Sequence, residues 1–100
     1  MIRHVVLWRL KEQAEGRSRL ENAKMIKVHL EALPDLVPEI RRLEVGADVL
    51  NEGSSWDLCL IVEFDDLEAL KRYQDHPEHK RVAELVALTR DQRAVVDYMV

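Results

Sequence analysis

The chain has 100 residues, of which 47% are hydrophobic and 34% are charged, and its formal net charge is −4. These values are typical of one globular domain, residues 1–100, and argue against nucleic acid or an anionic membrane as a partner. Cys59 is the only cysteine, which excludes an internal disulfide, and no apolar run is long enough for a signal peptide or a membrane span, so we expect a cytoplasmic location.

The first elements in the chain are a strand and a helix. Met1–Leu10 is rich in β-branched and apolar residues, which favours a strand. Apolar residues then recur at helical spacing after Ser18, which forms a capping-box pattern with Glu21. Pro34 and Pro38 are predicted to end this helix. The later elements are a strand at Ile40–Leu50 with a bulge at Gly46, a turn at Asn51–Ser55, a strand at Trp56–Phe64, a helix capped by Asp66 that ends near Asp75, a helix at Pro77–Arg90 and a strand at Ala94–Val100.

This order, β-α-β-β-α-β, predicts the α+β class and a ferredoxin-like fold. The sheet would be four-stranded and antiparallel, with its helices on one face. The opposite face is too apolar for water, because Val5 and Leu7 lie on it in the first strand and Ile61 in the third. A second copy of the chain is the simplest cover, and an unusually apolar monomer is the alternative.

The segment from Tyr73 to His79 contains two of the four histidines. Pro77 suits the first position of a helix, so His79 would lie in the first helical turn, where the helix dipole disfavours imidazolium. A neutral imidazole beside a phenol can act as a general base with a hydrogen-bond donor next to it. The alternative is that both histidines only cap or line a helix–helix turn.

An ordered set of segments resembles the stress-responsive α/β-barrel (Dabb) domain family across essentially the whole chain. The resemblance implies a ferredoxin-like subunit whose sheet pairs with a second one to form a dimeric α/β barrel. The segments are Met1–Leu7, Leu33–Pro38 followed by Val45-Gly46, Asp57-Leu58, Val62–Leu70, Tyr73, His76–His79 and Val96–Tyr98.

The resemblance also implies a function and a site. Some family members are stress-induced stable oligomers, and the chain is similar to members of the olivetolic acid cyclase type, which close a polyketide by an aldol reaction without a cofactor. The catalytic positions implied are His79, Tyr73, His4 and Asp97, and all four are present. We assign His76, Trp8 and Val6 to binding of a small apolar or polyketide-like ligand.

The chemistry of an aldol closure agrees with these residue types. It needs a base near neutral pH, a donor for the developing oxyanion and a carboxylate that orients the base, which would be His79, Tyr73 and Asp97. One hypothesis is therefore a small-molecule-binding homodimer with acid–base catalysis. The other is a non-catalytic stress-related or structural oligomer in which these residues form a packed polar cluster.

No metal is expected. A zinc site from His76, His79, His4 and Asp97 is the alternative, but His76 beside Pro77 need not point with His79. The resemblance also raises a structural cation on main-chain carbonyls, here those of Pro34, Val37 and Ile40. Trp8 and Trp56 are expected to be core or interface anchors, and Cys59 a buried, unreactive thiol.

Overall fold

A computed structural model describes residues 1–100. Its elements are, in chain order, β1 (Ile2–Leu10), β2 (Gln13–Ala14), β3 (Arg17–Ser18), α1 (Arg19–Glu31), α2 (Leu33–Leu36), β4 (Arg42–Ala47), β5 (Leu58–Phe64), α3 (Leu67–Asp75), α4 (Pro77–Thr89) and β6 (Arg90–Met99). One antiparallel sheet contains four strands in the order β4-β5-β1-β6, and β2 with β3 forms a separate hairpin. The predicted α+β class and ferredoxin-like arrangement are confirmed.

The core lies between the sheet and the helices. Residues of β1 alternate between buried and half-buried along its whole length, and those of β5 repeat this pattern. Val62 and Phe64 of β5 are fully buried together with Ile26 of α1 and Leu33 of α2. Burial of one such side chain contributes about 1.5–3 kcal/mol, so this one-sided pattern fixes which sheet face the helices cover. None of the helices has the length and apolar composition needed to cross a bilayer.

Both predicted helix caps are present. The Ser18 hydroxyl accepts a hydrogen bond from the backbone N–H of Glu21 at 3.2 Å, and the Glu21 carboxylate accepts one from the N–H of Ser18 at 2.9 Å. The Asp66 carboxylate accepts from the N–H of Ala69 at 2.8 Å and starts α3. These bonds satisfy backbone donors that have no partner within the helix.

The second strand is shorter than the sequence predicts. It covers Arg42–Ala47 instead of Ile40–Leu50, because a turn follows in which the Asp48 carboxylate accepts from the N–H of Asn51 at 2.7 Å. The bulge predicted at Gly46 is wrong, since Gly46 pairs with Cys59 in an unbroken register.

Trp56 lies outside β5, which begins at Leu58. Its ring is half-buried and stacks under the Arg9 guanidinium, with 5.1 Å between the guanidinium carbon and the ring centroid. Trp8 is buried in the core, in agreement with its predicted role. Cys59 is only half-buried, although burial does raise the pKa of its thiol and keeps it protonated.

Two chain turns differ from the prediction. Pro34 does not end a helix but lies in the first turn of α2, where no backbone N–H is needed. The last strand begins at Arg90 rather than Ala94, so α4 passes directly into β6. The strand register also shifts here, since Arg9 pairs with Gln92 but Leu10 pairs with Arg90.

The face of the sheet away from the helices combines an apolar centre with a charged end. Val5, Leu7 and Ile61 lie half-buried on it. At one end, the Arg3 guanidinium contacts the Glu63 carboxylate at 2.8 Å and the Tyr98 hydroxyl at 3.1 Å. Every residue of the edge strand β6 is exposed, so the chain leaves apolar surface uncovered along this strand.

Candidate functional site

A cavity of about 270 Å³ lies between the sheet and helix α4. Strand β1 contributes His4, Val6 and Trp8 to its wall, all of which are buried. This volume is slightly below the usual range for sites of drug-sized molecules, so it suits a small ligand. Val6 and Trp8, which the sequence assigned to ligand binding, therefore lie where a ligand could contact them.

One face of α4 forms the opposite wall. His79, Val82, Ala83, Val86 and Ala87 line the cavity and follow the three- and four-residue spacing of a single helix face. Two of these five residues are alanines, and their short side chains leave space that leucine or phenylalanine would fill. The sequence therefore creates the cavity by placing small residues in the middle of a face that is otherwise apolar.

His4 and Asp97 meet across neighbouring strands. The antiparallel register sets the two residues opposite each other, so their side chains leave the same face of the sheet. His4 Nδ1 lies 2.5 Å from Asp97 Oδ1. A carboxylate can only accept, so Nδ1 carries the proton and Nε2 of a neutral His4 is left with its lone pair. No group of the chain hydrogen-bonds that Nε2 atom.

Tyr73 lies between two histidines. Its ring centroid is 6.3 Å from that of His4 and 4.4 Å from that of His79, and the Phe64 ring packs on it at 4.9 Å. The side chain is buried, but the hydroxyl forms no hydrogen bond within the chain. Burial raises the pKa of Tyr73, so the hydroxyl keeps its proton and is a donor near neutral pH.

Backbone geometry orients His79. Pro77 opens α4, and the Nδ1 atom of His79 in the first turn lies 3.1 Å from the carbonyl oxygen of Gln74. A carbonyl accepts only, so Nδ1–H is the donor and Nε2 is free. Burial lowers the pKa of His79, the hydrogen bond to the Gln74 carbonyl opposes this, and electrostatic interactions with His4, Arg93 and His76 lower the pKa further. The ring is therefore neutral at pH 7.

Two features of the predicted site change. His76 does not line the cavity, because its Nδ1 atom caps α4 by accepting from the N–H of Glu78 at 3.1 Å. Asp97 orients His4 rather than His79, and it is the backbone carbonyl of Gln74 that orients His79. A backbone oxygen has no signature in a sequence, so only the structure reveals this partner.

The geometry gives no support to either metal hypothesis. No group of three or more His, Cys, Asp or Glu side chains is arranged to hold a metal ion, and the Nδ1 atom of His76 already accepts a hydrogen bond from the N–H of Glu78. At the main-chain site, the Val37 carbonyl already accepts from the N–H of Ile40 at 3.3 Å. The Arg41 guanidinium also lies 3.4 Å from the Pro38 carbonyl, and its charge would oppose a cation.

Arg90 and Arg93 are cavity residues that the sequence did not reveal. Both precede the strand predicted at Ala94–Val100. Arg93, Val95 and Asp97 follow one another at intervals of two residues, so in a strand their side chains lie on the same face of the sheet. A prediction that began the last strand at Arg93 would therefore have included this residue in the site.

Known proteins match the chain in sequence and in structure. A family model described as the stress-responsive A/B barrel domain matches residues 2–100. An uncharacterized protein of Streptomyces coelicolor is 32% identical over 81 residues, which is 80% of either chain. A dimeric protein of unknown function with a ferredoxin-like fold from Bacteroides fragilis superposes with a TM-score of 0.87 at 36% identity, over 99% of this chain and 95% of that one. A hydroxynitrile lyase from Passiflora edulis has a TM-score of 0.83 over 99% of this chain and 92% of its own, but at 16% identity this shows a shared fold alone.

Proposed function

The chain belongs to the stress-responsive A/B barrel domain family, and we propose that it is a homodimer whose subunit binds a small carbonyl compound between sheet and helices and transfers protons on it. The proposed chemistry is cofactor-free general acid–base catalysis of the aldol, polyketide-cyclase type. The proposal rests on this chain's own side chains, because the hydroxynitrile lyase is too distant in sequence to lend its activity.

One observation carries the proposal. Three groups that can exchange or share protons line the same cavity, and none is satisfied by another group of the chain: Nε2 of His4, the hydroxyl of Tyr73 and Nε2 of His79. None of the three is a buried atom left without a partner, because each is open to the cavity, where a bound molecule can reach it. Their free positions are suited to a ligand.

The roles follow from protonation. Neutral His79 takes a proton from the carbon next to a carbonyl, and the C–H electron pair becomes the enolate. The Tyr73 hydroxyl donates a hydrogen bond to the oxygen on which this charge develops. The enolate carbon then bonds to a second carbonyl carbon of the same molecule, whose oxygen becomes an alkoxide. Protonated His79 then returns the proton that it removed to that oxygen, and Nε2 of His4, which Asp97 holds in place, accepts a hydrogen bond from the bound molecule as the second acid–base group.

The homodimer has separate support. The Bacteroides fragilis protein, 36% identical to this chain, is described as dimeric. The sheet face away from the helices presents Val5, Leu7 and Ile61 together with exposed Val96 of β6. Pairing of two such faces about a two-fold axis would bury this surface and close the barrel.

Deuterium exchange tests the catalysis without knowledge of the natural substrate. The probe is 4-phenylbutan-2-one in D₂O near neutral pD, with loss of the proton signals next to the carbonyl followed by NMR. We expect exchange to be faster with the protein than in buffer, and His79→Gln to abolish this acceleration. The variant His29→Gln is the matched control, because His29 lies on α1 outside the cavity lining and should leave the rate unchanged.

The non-catalytic oligomer predicts a different pattern. Wild type and His79→Gln would then exchange the probe at the buffer rate, and the substitution would act only on thermal stability. Equal exchange rates in wild type, the variant and buffer would refute the catalytic proposal.

A further inference from the structure

The register shift between β1 and β6 places two arginines on one side of the sheet. Residues 90 and 93 are three positions apart, and in a regular strand they would point to opposite faces. Leu10 pairs with Arg90 whereas Arg9 pairs with Gln92, so Asp91 is an extra residue and forms a bulge. Arg93 pairs with Trp8 on the helix-facing side, and the bulge turns Arg90 to that side as well.

These two arginines have no partners in the chain. Neither Arg90 nor Arg93 forms an ion pair or a side-chain hydrogen bond, whereas every other arginine contacts a carboxylate or donates to an oxygen. No aspartate or glutamate lines the cavity, although acidic residues outnumber lysine and arginine in the chain by 19 to 15. Asp97, on the same side of the sheet, is bonded to His4. The cavity is therefore a basic site in an acidic protein.

We propose that Arg90 and Arg93 bind the anionic end of the substrate, a carboxylate or phosphate on an apolar body. This inference rests on the proposed function because it names the substrate class of the same cavity. The planar guanidinium can bind either anion with two parallel hydrogen bonds, and the aliphatic wall from Val6 to Ala87 accommodates the apolar part.

The arrangement fixes how such a molecule would lie. Trp8, opposite Arg93, is four residues along β1 from His4, which corresponds to about 13 Å of strand. Arg93 lines the same cavity as Tyr73 and His79, and its positive charge lowers the pKa of both. An anionic group at the arginines would leave the opposite end of a small molecule at the two rings, where protons are transferred.

Binding of matched probes tests the inference. The carboxylate probe is 3-phenylpropanoate, the phosphate probe is 2-phenylethyl phosphate, and 3-phenylpropanamide is the neutral isostere. Isothermal titration calorimetry at low salt should give an affinity at least about tenfold higher for one anion than for the amide, because the amide cannot form the charged pair. A preference between the two anions would identify the natural head group.

Single substitutions assign the effect to the two residues. Arg93→Gln and Arg90→Gln should each weaken anion binding at least about fivefold and leave amide binding unchanged, and Arg93→Lys should restore part of the affinity. Arg81→Gln is the matched control, since Arg81 lies on the outer side of α4 and pairs with Glu78 at 3.1 Å. Circular dichroism establishes that each variant is folded.

The two proposals can fail separately. Equal affinity for the anions and the amide, no anion binding, or wild-type anion binding by both glutamine variants would overturn the anion site. Unchanged ketone exchange in His79→Gln would instead overturn the catalysis, and calorimetry would still decide the anion site. The ketone 4-phenylbutan-2-one has no anionic group for the arginines to bind, and its exchange is measured on His79→Gln with both arginines in place, so each measurement reports on one proposal.

Discussion

The rings of Tyr73 and His79 come from consecutive helices, yet their centroids lie only 4.4 Å apart, with an angle of 54° between the ring planes. The break at His76-Pro77 permits this approach, because it ends α3 and starts α4 in a new direction. A phenol and a neutral imidazole are thereby held against the same cavity, with the Tyr73 hydroxyl and Nε2 of His79 free to bond to a ligand.

The exchange rate should fall at acidic pH. Burial lowers the pKa of His79 below its ordinary value of 6.5, so the base is neutral at pH 7 and is lost only below pH 6.5. A pH–rate profile of ketone exchange should therefore show its acidic limb below pH 6.5. An acidic limb above pH 7 would contradict the assignment of His79 as base.

The same shift should make acid stability depend on His79. The unfolded chain, with an ordinary histidine pKa near 6.5, binds more protons than the folded chain as the pH falls below that value. The contribution of His79 to stability is therefore constant above pH 6.5 and decreases below it. Urea unfolding from pH 7.5 to 4.5 should show a smaller loss of stability for His79→Gln than for wild type, and identical slopes would contradict this.

Tyr73→Phe should separate catalysis from stability. The hydroxyl forms no hydrogen bond within the chain, so its removal should change the free energy of unfolding by less than about 0.5 kcal/mol. Loss of an oxyanion donor typically slows a reaction by about 10²–10³-fold. Thermal unfolding and ketone exchange, measured on one preparation, check both values. A large drop in melting temperature with unchanged exchange would favour the structural role of Tyr73.

Ala87→Leu should close the cavity. Ala87 lines it from α4, leucine is a good helix former, and the longer side chain would occupy ligand space without entering the packed core. We expect the melting temperature to be unchanged or higher and probe binding to weaken at least about tenfold. Glu84→Leu on the same helix, outside the cavity lining, is the control that should bind normally.

Val96→Lys should produce monomers. Val96 lies opposite Val5 on the sheet face proposed to pair, and 54% of its surface is exposed in the single chain. A buried lysine at a dimer centre would be unpaired and costly. Light scattering coupled to size-exclusion chromatography measures the mass, and Val28→Lys, at an exposed position of α1, should remain dimeric. A dimeric Val96→Lys protein would show that another surface forms the dimer.

The sequence predicts the fold well because local signals agree with one another. Alternation in β1 and the caps at Ser18 and Asp66 each point to the element that forms. The sequence-based prediction fails at the boundary between α4 and β6, because no loop separates these two elements. Thr89 and Arg90 look like the end of a polar helix, and nothing in the local sequence indicates that β6 begins there.

The sequence predicts which residues form the site, but it does not predict which of them contact one another. His4, Tyr73 and His79 do line one cavity, as an acid–base site requires. Which ring Asp97 contacts depends on the register between β1 and β6, a long-range property that local sequence does not determine. His76 caps α4 and does not line the cavity, and a capping histidine cannot be distinguished in sequence from a ligand-binding one.

The bulge at Asp91 decides how many guanidinium groups the cavity receives. Three positions separate Arg90 from Arg93, so in a strand without the bulge the two side chains would leave opposite faces of the sheet, whereas the extra residue brings Arg90 to the side of Leu10 and Trp8. A homologous barrel with arginines at the same spacing but a regular last strand would therefore present only one of them to its cavity. Comparisons between such proteins should establish the register at the start of the last strand before they compare substitutions in the cavity.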